Sequence, residues 1–469
     1  NFASEEIVDQ ASWDEFMPKG FTKETFNILK DCFDRSIFTG AAKRIRQMVK
    51  EADNLNTEDR IAKIARICSY FHNPDKETVL TPWKVVNRHM SDCLGGWCFF
   101  NEEFDAEYTE ENEYGENIKM ARPVGMKIDE NGKIVFTNKV TQDIFGDYNA
   151  RILEINSKTG LYPLYMAYSL FKTSKEPEWR RLELTGERGM NKDAVEYEKQ
   201  ASDDLIIWRD VLQDNIFVVC RTKMAVSITK RTLAGFRKDI RMNVKCYERE
   251  IEINDLISSG VLKKEADGIT KDGTVYKLND KPFIDCDMIT VLRSKPELFQ
   301  CDVVKGINFW NVYNSIPKNA NEDINNMKFK AIVGNPPYQI MDGGNGASDA
   351  AAPIYNKFVE VSEAIAPNYL SMIMPSKWMV GGRSELSSFL ERMKDDIRLS
   401  YMKDYRNDRT IFPSAHNDGG ICYFLWDRDH TGECMIDSHR ANAHSQMERP
   451  LVENGTGTFV RFNEAVTIL

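Results

Sequence analysis

The chain has no run of the roughly 20 apolar residues that crossing a bilayer requires, and its N-terminus lacks the basic-then-apolar pattern of a secretory signal. The expectation is a soluble, cytoplasmic protein with no membrane partner. None of its ten cysteines stands at a CxxC spacing, and its six histidines form no HExxH signature, so reduced thiols are expected, with no metal and no structural zinc. No nuclease carboxylate-lysine motif is visible. Positive charge is in deficit as well, the net charge being −10. That excludes a protein that coats nucleic acid nonspecifically, although local binding is set by local charge.

What is present is an ordinary globular mixture, 42% hydrophobic and 29% charged, in 469 residues, enough for two or three domains. Residues 102–116 carry eight acidic side chains, which would repel phosphate, whereas residues 221–249 hold nine basic side chains against Asp239 and Glu248. The basic run reads first as a solvated helix face. The chain begins at Asn1 and stops at Leu469 after an apolar stretch. It therefore reads as an excised fragment, with the determinants of any target sequence expected beyond it.

Residues 1–75 read as a helical N-terminal segment. In it Thr57-Glu58-Asp59 has the composition of a cap, and Ile61, Ile64, Cys68 and Phe71 follow on one face. Thr81 and Pro82 are expected to cap and open a further helix. The Asn131-Gly132 dipeptide predicts a hairpin over 126–136, within an insertion near 101–136. Residues 150–155, 156–160 and 161 onward read as strand, glycine-bearing loop and helix, a nucleotide-site layout. A polar stretch, 172–204, is expected to be helical decoration, followed by a strand at 215–220 and a helix at 224–236. Residues 253–325 show little periodicity and read as a second insertion. From 329 the alternation sharpens: strand, the turn Asn335-Pro336-Pro337-Tyr338, a glycine-rich loop at 341–348, helix 354–365, strand 369–374, helix 383–393, and a strand pair at 397–404 and 420–426. Such alternation implies an α/β fold with a mostly parallel sheet covered on both faces. Residues 441–469 read as the start of a linker or of a C-terminal recognition region.

The Asn335 turn suits the gripping of a planar amine for methyl transfer. An exocyclic amine on an aromatic base is a poor nucleophile because its lone pair is delocalised into the ring. The Asn335 side-chain oxygen and the Pro336 carbonyl can each accept one N–H, which localises the pair and drains charge as the new bond forms. Pro336 and Pro337 fix the backbone in advance, and Tyr338 offers a stacking face worth about 1–3 kcal/mol. The plain alternative is a tight turn after a strand.

Thr81-Pro82, residues 152–160, residues 332–338 and Ile411-Phe412-Pro413 resemble, in that order, the motifs of gamma-class DNA adenine methyltransferases of the Type II restriction-modification methylase family. The likeness covers about residues 75–430 and implies a methyltransferase domain at 76–440. It also implies a Rossmann-like, S-adenosylmethionine-dependent fold and a flipped adenine in double-stranded DNA as acceptor. By the same resemblance Thr81 and Pro82 contact the methionine end of the cofactor and Glu154 its amino group. Asn156, Gly160 and Cys220 complete the cofactor side, and Phe412 stacks on the adenine opposite Tyr338. Nuclease or helicase regions on the same full-length polypeptide are further expected partners. The sequence departs from the family twice: Lys158 stands where a glycine is usual, and Arg221 follows Cys220 where a carboxylate usually holds the ribose hydroxyls. Two rival readings keep their place: methylation of another planar amine, an RNA guanine or a protein glutamine, and a catalytically weak DNA-binding scaffold of a restriction system.

Overall fold

A computed structural model describes residues 8–71, 79–99, 109–111, 117–174, 204–310, 327–340, 352–412 and 419–468, apart from short interruptions at 19, 33, 112–116, 120, 238–239, 266–267, 272–273, 277–282, 306, 382–383, 408, 410, 441–442, 454, 456, 458 and 467. The helical decoration expected over 172–204, the glycine-rich loop at 341–348, Pro413 and most of the acidic run lie outside the described residues. The chain divides into two compact units, Asn1–Val218 with Lys223–Val244, and Val219–Thr222 with Lys245–Leu469.

The first unit opens with helices. After α1 (Arg35–Ala52), α2 (Thr57–Ser69) starts from Asn56, whose side chain accepts from the Asp59 amide. The cap thus lies one residue before the expected triplet, because only a residue outside the first turn can turn its side chain back onto the free amides. Ile61 and Ile64 are buried as expected, but Phe71 is exposed, since the helix ends at Ser69 and its periodicity stops there. The next helix, α3 (Trp83–Cys93), is capped by Pro82 itself without a side-chain bond. The Pro82 carbonyl accepts from the amides of Val85 and Val86 at 3.0 and 3.1 Å, which corrects the assignment of Thr81 as the cap. The hairpin at Asn131-Gly132 forms as expected, with Met126 opposite Phe136.

Beyond it come β1 (Ile152–Ile155), α4 (Leu161–Ser174), β2 (Ile216–Cys220), α5 (Lys223–Ala234) and β3 (Asn243–Cys246). The sheet order is β1-β2-β3. Every residue of β1 and β2 is buried, as continuous apolar runs in central strands should be. α4 is buried from Leu161 through Phe171, and α3 lies against it, with Trp83 and Tyr165 ring centroids 6.2 Å apart.

In the second unit Glu248–Glu252 pairs antiparallel with Phe283–Asp287, and the described part of the aperiodic segment adds a three-stranded sheet. There follow α6 (Met288–Ser294), β4 (Ala331–Gly334), α7 (Tyr355–Ala364), β5 (Tyr369–Pro375), α8 (Ser384–Lys394), β6 (Leu399–Tyr405), β7 (Ile421–Asp427), β8 (Cys434–Arg440) and β9 (Ala443–Arg449). Their order is β9-β8-β6-β7-β5-β4. β4 and β5 are parallel, with α7 in the crossover; β7 runs antiparallel to β5 and β6; β6 and β8 are parallel; and β8 and β9 form an antiparallel hairpin. The expected α/β architecture holds. The β8–β9 hairpin had no counterpart in the sequence reading, because its charged and apolar residues mark an edge with one wet face rather than a buried run.

Candidate functional site

In the first unit the residues expected on the cofactor side, Cys220 apart, lie at or near the carboxyl end of β1. Glu154 is buried, and its Oε2 has no hydrogen-bond partner among the described residues. Burial pushes its carboxyl up to about 8, with the Ser157 hydroxyl offsetting part of the effect. The loop that follows leaves the strand through Asn156 at φ +71° and enters α4 through Gly160 at φ +77°, left-handed values that asparagine and glycine tolerate best. α5 holds this loop in place. Ser157 Oγ lies 3.0 Å from Thr229 Oγ1, and Thr232 Oγ1 donates to the Thr159 carbonyl at 2.6 Å. A Cβ at Gly160 would stand 3.0 Å from the Thr229 Cα and 3.2 Å from the Thr232 Cβ. Gly160 therefore permits the loop to close on a helix.

Thr81, which is buried, and Pro82 are tied to the same loop. Lys158, in the position where a glycine is usual, reaches back to the Val79 carbonyl at 3.4 Å. Under the loop, His89 Nδ1 meets the Tyr162 hydroxyl at 2.9 Å, and burial pushes that imidazole down to about 3, so it is neutral. The unit thus brings Thr81, Pro82, Glu154, Asn156 and Gly160 together. The buried carboxylate with an unused oxygen fits a cationic nitrogen donor such as the amino group of a bound amino-acid moiety.

The residues expected on the acceptor side belong to the second unit. Asn335 follows directly on β4, and the register sets Gly334 opposite Met372 of β5. Asn335, Pro336 and Tyr338 are buried and Pro337 is partly exposed. The chain then turns back, Gln339 pairing with Pro353 and Ile340 with Ala352, and the Tyr338 carbonyl accepts from the Ile354 amide at 3.3 Å. Because β4, β5 and β6 run in one direction, Asn335, Ser376 and Tyr405 end their strands on the same edge. The β6-to-β7 connection that carries Phe412 crosses that edge too. Phe412 is buried. In an open α/β sheet this carboxyl edge is where ligands bind.

Three residues that sequence reasoning missed brace this edge. Ser376 Oγ donates to Asp404 Oδ1 at 2.7 Å. Arg461 grips both Asp404 oxygens, at 2.7 Å through Nε and 2.6 Å through Nη2, and also reaches the Gly419 carbonyl. Arg461 thereby anchors the far end of the connection that holds Phe412. Nothing in the local sequence signals the trio, since its members are brought together only by the fold.

Cys220 ends β2 fully buried, and its carbonyl accepts from the Tyr247 amide at 3.1 Å. Arg221 is paired with Asp287 at 3.4 Å. Asp287 also caps α6, accepting from the Thr290 amide at 3.0 Å and the Thr290 hydroxyl at 2.6 Å. A carboxylate therefore does stand beside the end of β2, supplied from elsewhere in the chain. The basic run at 221–249 is largely engaged internally and is not a free face. Lys223 faces Asp9, Arg231 packs over Phe236 and donates to Gly235, Arg237 donates to the Asp53 carbonyl, and Arg249 pairs with Asp302.

Residues 214–412 match the family model of the Eco57I restriction-modification methylase. An uncharacterized adenine-specific methylase of Mycoplasma pneumoniae is 32% identical over 112 residues, 24% of this chain and 26% of that relative. The match thus spans about a quarter of the relative's length. Among solved structures, the DrdV–DNA complex aligns with 86% of this chain and 34% of its own at 9% identity and a TM-score of 0.36. The Type ISP restriction-modification enzyme LlaBIII bound to DNA aligns with 81% and 22% at 11% identity and 0.35.

Proposed function

We propose, from a chain that carries an Eco57I restriction-modification methylase segment at residues 214–412, that the protein is a site-specific DNA adenine methyltransferase of a restriction-modification system. It would act on duplex DNA in the cytoplasm, with nuclease or helicase regions on the same full-length polypeptide. The observation that carries the reading is the Asn335-Pro336-Pro337-Tyr338 turn at the carboxyl end of β4, on the edge that Phe412 shares. The adenine in the description of the Mycoplasma relative supports the choice of acceptor.

Of the residues expected on the cofactor side, Thr81, Pro82, Glu154, Asn156 and Gly160 lie in the first unit and Cys220 in the second. S-adenosylmethionine, when bound, provides a methyl group made electrophilic by its sulfonium. Thr81, Pro82 and Glu154 would hold its methionine end, with the ionised Glu154 accepting from the ammonium. Asn156, Gly160 and Cys220 would follow the rest of it. In the second unit Asn335 Oδ1 and the Pro336 carbonyl accept the two N–H bonds of the adenine amine. This pulls the lone pair out of the ring and onto nitrogen, and disperses the positive charge of the transition state. Tyr338 and Phe412 stack on the flipped base, offsetting an extrusion cost of a few kcal/mol.

The test is the fate of tritium from labelled S-adenosylmethionine supplied to the full-length protein with duplex DNA, RNA and protein acceptors. Label on the N6 of adenine in duplex DNA is expected. Label only in RNA or in protein would sink the proposal in favour of another planar amine, and no cofactor binding at millimolar concentration would favour a scaffold.

A further inference from the structure

We propose that Asp437, His439 and His444 form a binding site for one divalent transition-metal ion of the zinc class, on the β8–β9 hairpin of the second unit. The site is independent of the methyl-transfer reading. In the hairpin register His439 stands opposite His444 and Asp437 opposite Gln446. The two-residue period of a strand then puts all four side chains on one face. The carboxylate is buried and its two oxygens are divided by role. Oδ2 accepts from the Tyr401 hydroxyl at 3.0 Å and from Gln446 Nε2 at 3.1 Å, and lies 3.3 Å from Lys403 Nζ. Among the described residues Oδ1 faces imidazole nitrogens, His444 Nε2 at 2.6 Å and His439 Nε2 at 3.0 Å.

All three candidate ligand atoms lie within 4.8 Å of one another. Tetrahedral zinc–nitrogen and zinc–oxygen bonds of about 2.0–2.1 Å separate neighbouring ligand atoms by about 3.3–3.4 Å. The His439 contact, at 3.0 Å, is a few tenths shorter and the His444 contact, at 2.6 Å, is shorter by more, so both open as an ion enters, and His444, half-exposed on an edge strand, has room to rotate. The remaining contacts act as a supporting shell. Donors on Oδ2 orient the carboxylate so that Oδ1 is presented alone, and Tyr405 stacks on the His439 ring at 4.7 Å and 27°. Such outer contacts fix ligand orientation in metal sites. Two imidazoles and one carboxylate suit zinc, cobalt or nickel better than calcium or magnesium. With three protein ligands the ion keeps a position for water, and the exposed His444 is the entry path. The Lys403 charge beside Oδ2 weakens affinity relative to a site without a neighbouring cation.

No spacing signal pointed to this cluster, because His439 and His444 are five apart on two paired strands rather than at a helical ligand spacing. The test uses untagged full-length protein stripped by chelator dialysis and titrated with Co²⁺. Visible d–d absorption saturating at one equivalent is expected, together with a rise in Tm on adding Zn²⁺. His444→Gln, which keeps the side-chain length on an exposed strand, should lose at least tenfold in Co²⁺ affinity with an unchanged metal-free Tm; Asp437→Asn should lose at least as much affinity and also lower the metal-free Tm, because it removes the buried partner of Lys403. His430→Ala, outside the cluster, should bind normally. Absence of saturable binding, or full binding by both cluster variants, would overturn the site and leave an Asp–His hydrogen-bond pair.

Discussion

Asn335 and Glu154 are the residues at which chemistry and geometry are most closely joined. On the proposed function, Asn335→Ala removes an acceptor that would matter only as charge develops on the amine. Transfer is therefore expected to fall by about 10²–10³-fold, the scale set by loss of one such group, with cofactor affinity changed less than about threefold; quench-flow transfer rates and cofactor calorimetry separate the two. Glu154 carries a pH signature. Its carboxyl titrates near 8 without ligand, whereas an ammonium requires the carboxylate. Affinity for S-adenosylmethionine should thus rise with pH through the range below 8, by up to about tenfold per unit. Glu154→Gln should flatten that slope, and calorimetry in buffers of different ionisation enthalpy should show proton release on binding in the wild type only. The sign for folding is opposite: a carboxyl raised above its ordinary 4.5 destabilises the fold progressively as pH climbs from that value through 8. Asn335 was legible because the proline pair marks the turn. Thr229 and Thr232, which hold the loop after Glu154, were not, since their role depends on α5 lying against that loop.

At the scale of elements, α5 is held at both ends of its task. Its threonines fix the loop, and its last carbonyls, those of Thr232, Leu233 and Arg231, accept from the buried guanidinium of Arg60, which is paired in turn with Asp53 at 3.1 Å. A cation at a helix C-terminus opposes the macrodipole, and here it also satisfies carbonyls that the helix leaves open. Arg60→Met should cost about 3–5 kcal/mol, because it leaves the Asp53 carboxylate without its buried counter-charge and takes the guanidinium donor from the Thr232 carbonyl, whereas the Leu233 and Arg231 carbonyls keep Trp208 Nε1 and the Gly235 amide. Denaturant unfolding checks this, and Arg60→Lys should recover part of the loss. The strands β1, β2, β4 and β5 were readable as continuous apolar runs. The cap at Asn56 and the start of α3 were displaced by one residue from expectation, because caps depend on backbone angles rather than on composition.

For the molecule as a whole, net charge and the basic run point different ways, and the structure resolves the tension. Arg237 and Arg249 have internal partners, so their loss belongs to stability. Arg237→Gln with Arg249→Gln should lower Tm. The slope of log affinity for duplex DNA against log salt should stay within about 0.5 of wild type, where two phosphate contacts would remove about 1.8. Filter binding across a salt series measures this.

The sequence by itself determined most of the elements and the place of the Asn335-Pro336-Pro337-Tyr338 turn after a strand. Apolar runs, turn dipeptides and the Asn-Pro-Pro-Tyr signature are local, and local free energies of burial and backbone restriction act wherever those residues stand. Tertiary structure alone decided which side chains meet: Arg60 with the end of α5, Arg461 with Asp404 and Gly419, Asp287 with Arg221, and Asp437 with two histidines across a hairpin. Those pairings join residues that are distant in the chain or separated by a turn. They are fixed by strand register and helix packing, which no short window of sequence contains.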